Sequence, residues 1–213
     1  MMLTKTKKRP SKKRSPKKDI SYRSTSLGLV SEGDSAFRGC FLNCFYSARV
    51  YNVGMHNARE HYKTTGQSLS KNDNYHHVKT NPNYRLLMSD QAQQTLSVLY
   101  RDLQSFFSGL AEAKASGSNR KVRLPRYKPN EAAQGLALTI TYGRSLRGTK
   151  KTDKGFVLTR RETLIPFSKA FKDAHPKMGE GIPLTLPKAL VGKVINEVKI
   201  IPTTRYGQQQ FEL

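Results

Sequence analysis

Acidic residues are scarce in this chain: 15 Asp and Glu stand against 38 Lys and Arg, a net charge of +23 on 213 residues. Metal-dependent phosphodiester cleavage needs clustered carboxylates to hold its ions, and here the acids are scattered singly. Cysteine is scarcer still. Cys40 and Cys44 have no second pair, whereas a structural zinc site needs four ligands, usually from two separated pairs. His56 and His61 lie further along the same predicted helix and do not curl back to them. The expectation is two buried thiols and no metal. No apolar run approaches the roughly 20 residues that span a bilayer. The basic N-terminus is not followed by the apolar stretch of a secretory signal. The cytoplasm is therefore the expected compartment, and a membrane is not an expected partner. The sequence has no Walker loop, no GxGxxG, no Ser-His-Asp and no Cys-His arrangement, so no catalytic residue and no cofactor is assigned. Apolar content is also low, at 36%, which points to a surface completed by a partner.

The charge that is present says what that partner is. Each phosphate neutralised by Lys or Arg releases condensed counterions, so nucleic acid is the default ligand of so basic a surface. Anionic headgroups rank second. Residues 1–19 concentrate the charge in Lys5, Lys7, Lys8, Arg9, Lys12, Lys13, Arg14, Lys17 and Lys18, with almost nothing apolar between them. Such a segment is predicted to be disordered, either an arm along a phosphate backbone or a solvated tail. Residues 20–37 follow as a strand over Ile20–Val30, anchored by Tyr22 and Leu27, and a capping-box-like turn at Ser31-Glu32-Gly33-Asp34.

Residues 38–118 read as helical. Phe41, Phe45, Ala48, Tyr51, Met55, Ala58 and Tyr62 recur at helical spacing, with Arg38, Arg49, Arg59 and Lys63 off the stripe and Gly66 as the stop. A polar, irregular stretch, 66–88, leads to a second helix capped by Ser89, with Asp90 in its first turn. Its stripe is Ala92, Leu96, Leu99, Leu103, Phe106 and Leu110. The two stripes predict an antiparallel helix pair, followed by a small-residue linker over Gly109–Asn119. Beyond it the period becomes two. Leu136, Leu138, Ile140 and Tyr142 alternate with Ala137, Thr139 and Thr141, and short strands are expected at Phe156–Leu158, Leu164–Phe167, Ile182–Leu186, Val194–Ile201 and Tyr206–Leu213. Short strands punctuated by glycine indicate a small barrel or sandwich over residues 119–213, and the fold class is α+β.

Basic residues interleave with apolar ones at Arg120, Lys121, Arg123, Leu124, Pro125, Arg126, Tyr127 and Lys128. There the cations suit phosphates, and Tyr127 suits stacking or packing. Arg144, Arg147, Lys150, Lys151, Lys154, Arg160 and Arg161 form a further cluster around a predicted hairpin.

Four blocks carry a family resemblance. They are Cys44-Phe45-Tyr46-Ser47-Ala48-Arg49-Val50-Tyr51-Asn52; Tyr62-Lys63-Thr64-Thr65-Gly66-Gln67-Ser68-Leu69-Ser70; Gln91 to Leu96 through Leu103-Gln104-Ser105-Phe106-Phe107; and Leu124-Pro125-Arg126-Tyr127-Lys128. In this order they resemble the N-terminal half of TnpB (OrfB), the transposon-encoded RNA-guided nucleases related to type V CRISPR effectors. The resemblance implies an α-helical recognition lobe inserted into a small wedge-like β-barrel that grips a guide RNA scaffold and reads a short motif flanking a DNA target. By position it implies that Lys71 and Gln93 approach that motif. Glutamine pairs with an adenine edge bidentately, and lysine reaches guanine or phosphate.

The family's opening arginine-leucine-tyrosine-proline strand is replaced here by the basic tail and Ser21–Val30, and no RuvC domain or paired CxxC ribbon follows within these residues. The leading expectation is thus a truncated TnpB-like module that binds structured RNA and DNA and does not cut by itself, with a separate RuvC-like nuclease chain as a further partner. Half of a split RNA-guided endonuclease, a basic structural component of a ribonucleoprotein, and an inert relic are the alternatives.

Overall fold

A computed structural model describes residues 25–129, 138–141, 146–153 and 155–213. The expectations for the 1–19 tail, Tyr22, Leu136, Tyr142, Arg144 and Lys154 fall outside the described residues.

The chain is mixed α+β, in the order β1 (Leu29–Val30), α1 (Phe37–Thr65), α2 (Lys71–Val78), α3 (Pro82–Leu86), α4 (Ser89–Ala115), β2 (Leu138–Thr141), β3 (Thr149–Thr152), β4 (Gly155–Leu158), β5 (Glu162–Pro166), α5 (Lys169–Ala174), β6 (Gly181–Thr185), β7 (Glu197–Arg205) and β8 (Gln208–Glu212). The strands form one four-stranded antiparallel sheet, β1-β8-β7-β2, and two hairpins, β3-β4 and β5-β6. Among the described residues these sheets do not close into a barrel. Because β1 precedes the helices yet pairs with β8, the helical segment is inserted into the sheet's topology.

α1 is the spine of two cores. Its first half buries Cys40 and Cys44 against Val30, Ile165, Phe167, Phe171, Ile182, Val198, Ile200 and Phe211 from the β side. Its second half buries Val50, Tyr51, Met55 and Ala58 against Leu96, Leu99 and Leu103 of α4, with Val78 and Tyr84 beneath. Tyr46 packs against both. The burial expected of the two thiols holds. The apolar stripe is offset, however, because two different partners cover the two halves of the helix. Cys40, Asn43, Cys44 and Ser47 are buried, while Phe41 and Phe45 are half-buried, stacked on each other with Arg49 over the Phe45 ring.

The helix pair is not antiparallel. Ser47 hydrogen-bonds Thr95, Tyr51 reaches Asp102, and Tyr62 meets Phe106 and Phe107, so positions on α1 and α4 ascend together. The 66–88 stretch makes this possible, being two short helices that return the chain to its starting level rather than an irregular loop. Ser70 caps α2 by accepting from Asp73 N–H, and Asn81 caps α3 ahead of Pro82. The α1 stop is as expected, Gly66 taking φ 68° and donating its N–H to Tyr62 O. α4 differs at both ends. Met88 rather than Ser89 is its cap, with Gln91 Oε1 accepting the Met88 N–H. The helix also runs to Ala115, because Ala111, Ala113 and Ala115 are strong helix formers and no linker begins at Gly109.

Candidate nucleic-acid interface

Sequence-predicted site residues fall into three groups. Lys71 opens α2 and Gln93 lies on the exposed side of α4, and the structure brings them to one cleft. Lys71 Nζ donates to Ser97 Oγ at 3.0 Å, and Ser97 Oγ donates to the Gln93 carbonyl at 2.9 Å. Asn72, Tyr75, Gln94 and Leu96 complete an open cavity of about 520 Å³. Its lining offers amides, one ammonium and an aromatic ring, which are donors and a stacking face without a carboxylate.

The second group is the segment 120–128, which has no helix or strand and is docked along α1 by its backbone. Asn52 Oδ1 accepts the Lys128 N–H at 2.7 Å and Asn52 Nδ2 donates to the Lys128 carbonyl at 2.8 Å. Arg59 donates to the Pro125 carbonyl at 2.7 Å and lays its guanidinium 4.6 Å from the Tyr127 ring centroid. Val122 approaches Gly109 of α4, and Leu124 packs against the helical core. With the backbone and apolar side chains so used, Arg120, Lys121, Arg123 and Arg126 remain exposed, with no ion pair among the described residues.

Two members of this group do more structural work than their sequence suggests. Tyr127 has the Arg59 cation against its ring, and its exposure is 42%. Lys128 is half-buried, with Nζ 4.8 Å from the Tyr51 ring centroid. Beneath it Tyr51 donates to Asp102 at 2.6 Å. Burial first, and the Asp102 carboxylate second, push the Tyr51 phenol well above its ordinary value.

The third group is dispersed. Lys150 and Lys151 are exposed on β3, a strand of Thr and Lys that its polar composition hides from hydrophobic patterning. Arg147 pairs with Glu180 at 3.2 Å, and Lys172 shares that carboxylate at 3.1 Å. The hydrogen bond and charge of Lys172, then those of Arg147, hold Glu180 below the usual carboxylate range. Arg144 lies outside the described residues.

The first two groups do not meet. α2 is held by Asn74 Nδ2 donating to Gly54 O and by Asn57 bonding Asn74. The basic segment is held at Asn52 and Arg59. At 3.6 residues per turn, Asn52 and Gly54 stand about 160° apart round the α1 axis, and so do Arg59 and Asn57. The cleft and the basic segment therefore flank opposite sides of one helix. Asn52 and Arg59, which fix the segment, were visible in the sequence as polar residues off the apolar stripe, but nothing there marked them as its clamps.

Among the described residues no three His, Cys, Asp or Glu side chains come together, and no helix is long and apolar enough to cross a membrane. No family model matches the chain, and no curated protein matches it.

Proposed function

We propose that this chain is a nucleic-acid-binding module resembling the N-terminal half of TnpB, which holds a structured RNA and DNA and does not itself cut. One observation carries the reading. Residues 120–128 are clamped through backbone carbonyls and an amide, and four cations are left facing solvent without acidic partners among the described residues. A basic loop that only aided solubility would need no such clamp, whereas phosphate contacts gain from cations held in register. The wedge-like barrel with an inserted helical lobe belongs to the same proposal, supported by the pairing of β1 with β8 across the helical insertion. Lys71 and Gln93 would approach a base edge from their cleft, with an adenine the natural partner of the glutamine.

The test is sequencing of RNA that co-purifies after a high-salt wash, with salt titration of the purified complex. One discrete structured species supports the reading. Replacing Arg120, Lys121, Arg123 and Arg126 by Gln should then reduce the log–log salt slope by about 3, near 0.7 per single-strand phosphate contact. A heterogeneous smear that salt removes would leave counterion-driven binding alone and sink the family reading.

A further inference from the structure

β7 and β8 stay paired out to Arg205↔Gln208, but β2 accompanies β7 only through Glu197–Ile200, and β1 covers β8 only at Phe211 and Glu212. Among the described residues, 203–210 thus project beyond the four-stranded sheet as a two-stranded ribbon. Its tip is a two-residue connection, Tyr206-Gly207, with φ of 52° and 77°. Hairpins of this kind need positive φ at both central positions, which is why Asn, Asp or Gly normally stands at the first. A Cβ-bearing aromatic there is uncommon and costs backbone strain. No burial offsets that cost, since Tyr206 is fully exposed. Arg205 beside it is exposed and makes no ion pair among the described residues. From Thr203 to Gln210 the ribbon carries no acid at all.

We propose that this tip is a base-stacking wedge, in which Tyr206 stacks on an unpaired nucleobase of a single strand and Arg205 meets the adjoining phosphate. The inference rests on the nucleic-acid reading above but uses a surface separate from the cleft and the basic segment. A net charge of +23 draws a polyanion to the whole molecule. A ring at the end of the ribbon can meet a base whatever its identity, because every base has a π-face. Residues such as Asn or Gly would make the same turn with less strain and would stack on nothing.

The chain contains no tryptophan, so Tyr206→Trp gives a single indole at the tip whose fluorescence reports stacking. The full-length variant is titrated with a short oligoadenylate RNA, its DNA counterpart, and the RNA paired with its complement, while anisotropy follows binding in parallel. Saturable quenching by a single strand, weak with the duplex, supports the wedge, and the stronger of the two single strands names the sugar preferred. Tyr206→Asn, which the turn accepts, should weaken single-strand binding about tenfold or more, within the range of one base–aromatic stack. The salt slope should stay unchanged, since no charge is removed. Oligonucleotides that bind without quenching would overturn the wedge and leave the basic segment standing. Quenching by the duplex as strong as by the single strand would overturn it in favour of a ribbon lying in a groove. Failure of every oligonucleotide to bind would remove the parent reading as well.

Discussion

Asn52→Ala removes no charge and no core volume, yet it should loosen the basic segment. The amide makes two bonds to the Lys128 backbone, at 2.7 and 2.8 Å, from a half-buried position on α1. Each such bond is worth about 1 kcal/mol net, and alanine in place of asparagine returns roughly 0.5 kcal/mol of helix propensity. The expected loss is therefore about 1.5 kcal/mol. On a domain of this size that lowers Tm by about 3–6 °C. The sharper readout is hydrogen exchange at the Lys128 amide, which should speed up about tenfold, while amides of the β5–β6 hairpin stay as they were. Asn52→Asp keeps the acceptor for the Lys128 N–H but sets an oxygen against its carbonyl, so it should fall between wild type and alanine. RNA affinity should drop by no more than the docking equilibrium has shifted, with the salt slope intact because every cation is still present. Unchanged exchange at Lys128 would refute the claim that Asn52 positions this segment.

Tyr51→Phe leaves Asp102 without its phenolic donor and should cost about 1–3 kcal/mol by thermal or urea unfolding. Because the folded Tyr51 value lies above the unfolded value of about 10, its contribution is complete below that pH and is lost as pH rises past it; the phenylalanine variant should show a shallower alkaline loss. Burial raises the Cys40 thiol to about 12 and leaves both thiols without solvent exposure. Neither should react with a thiol reagent at pH 8 until denaturant is added, and fast native labelling would contradict the packing of α1. At Gly181 a Cβ would collide with the Ile165 carbonyl across the β5–β6 pair, a backbone atom that cannot swing aside. Gly181→Ala should therefore destabilise by about 1–3 kcal/mol, read as a urea midpoint shift. Gln93→Ala and the paired change Arg123→Gln with Arg126→Gln lie on opposite flanks of α1, so their binding losses should add within about 0.5 kcal/mol; strong coupling would mean one ligand group bridges both.

How much of this was legible in the sequence differs by element, for physical reasons. The two long helices announced themselves because apolar residues recur along each at helical spacing, even though the buried side of α1 is offset from that stripe. Their relative direction did not, because it depends on whether residues 66–88 fold back. The caps that make them do so, Ser70 with Asp73 and Asn81 with Pro82, lie in a stretch whose low apolar content reads as loop. β3 was missed since a Thr-Lys-Lys-Thr strand at a hairpin edge has no buried face to pattern. The first strand, expected over Ile20–Val30, is confined among the described residues to Leu29–Val30, since its partner β8 pairs only with those two of its residues. The strands from β4 onward were placed to within a few residues, β7 with the largest shift among them, since turn glycines and prolines fix their neighbourhoods more tightly than their ends. For the site, sequence order was enough to gather the 120–128 cations, which are neighbours in the chain. Nothing local in the sequence could say that Lys128 lies over the Tyr51 ring of the helical core, or that Tyr127 sits against Arg59.

The arrangement on either side of α1 bears on how such a module would be used. The spine is one continuous helix packed along most of its length against two cores, and its two flanks face different ways. On one flank the groups on offer are amides and a single ammonium around a cavity, suited to reading the edge of a base. On the other they are guanidinium and ammonium groups on a docked segment without helix or strand, suited to phosphates and indifferent to sequence. A single duplex presents edges and phosphates within one helical turn and has no need of two opposed surfaces. Two different strands, one read and one merely held, would need them, and the roughly 160° between Asn52 and Gly54 on the helix would keep those two tasks from competing for the same cations.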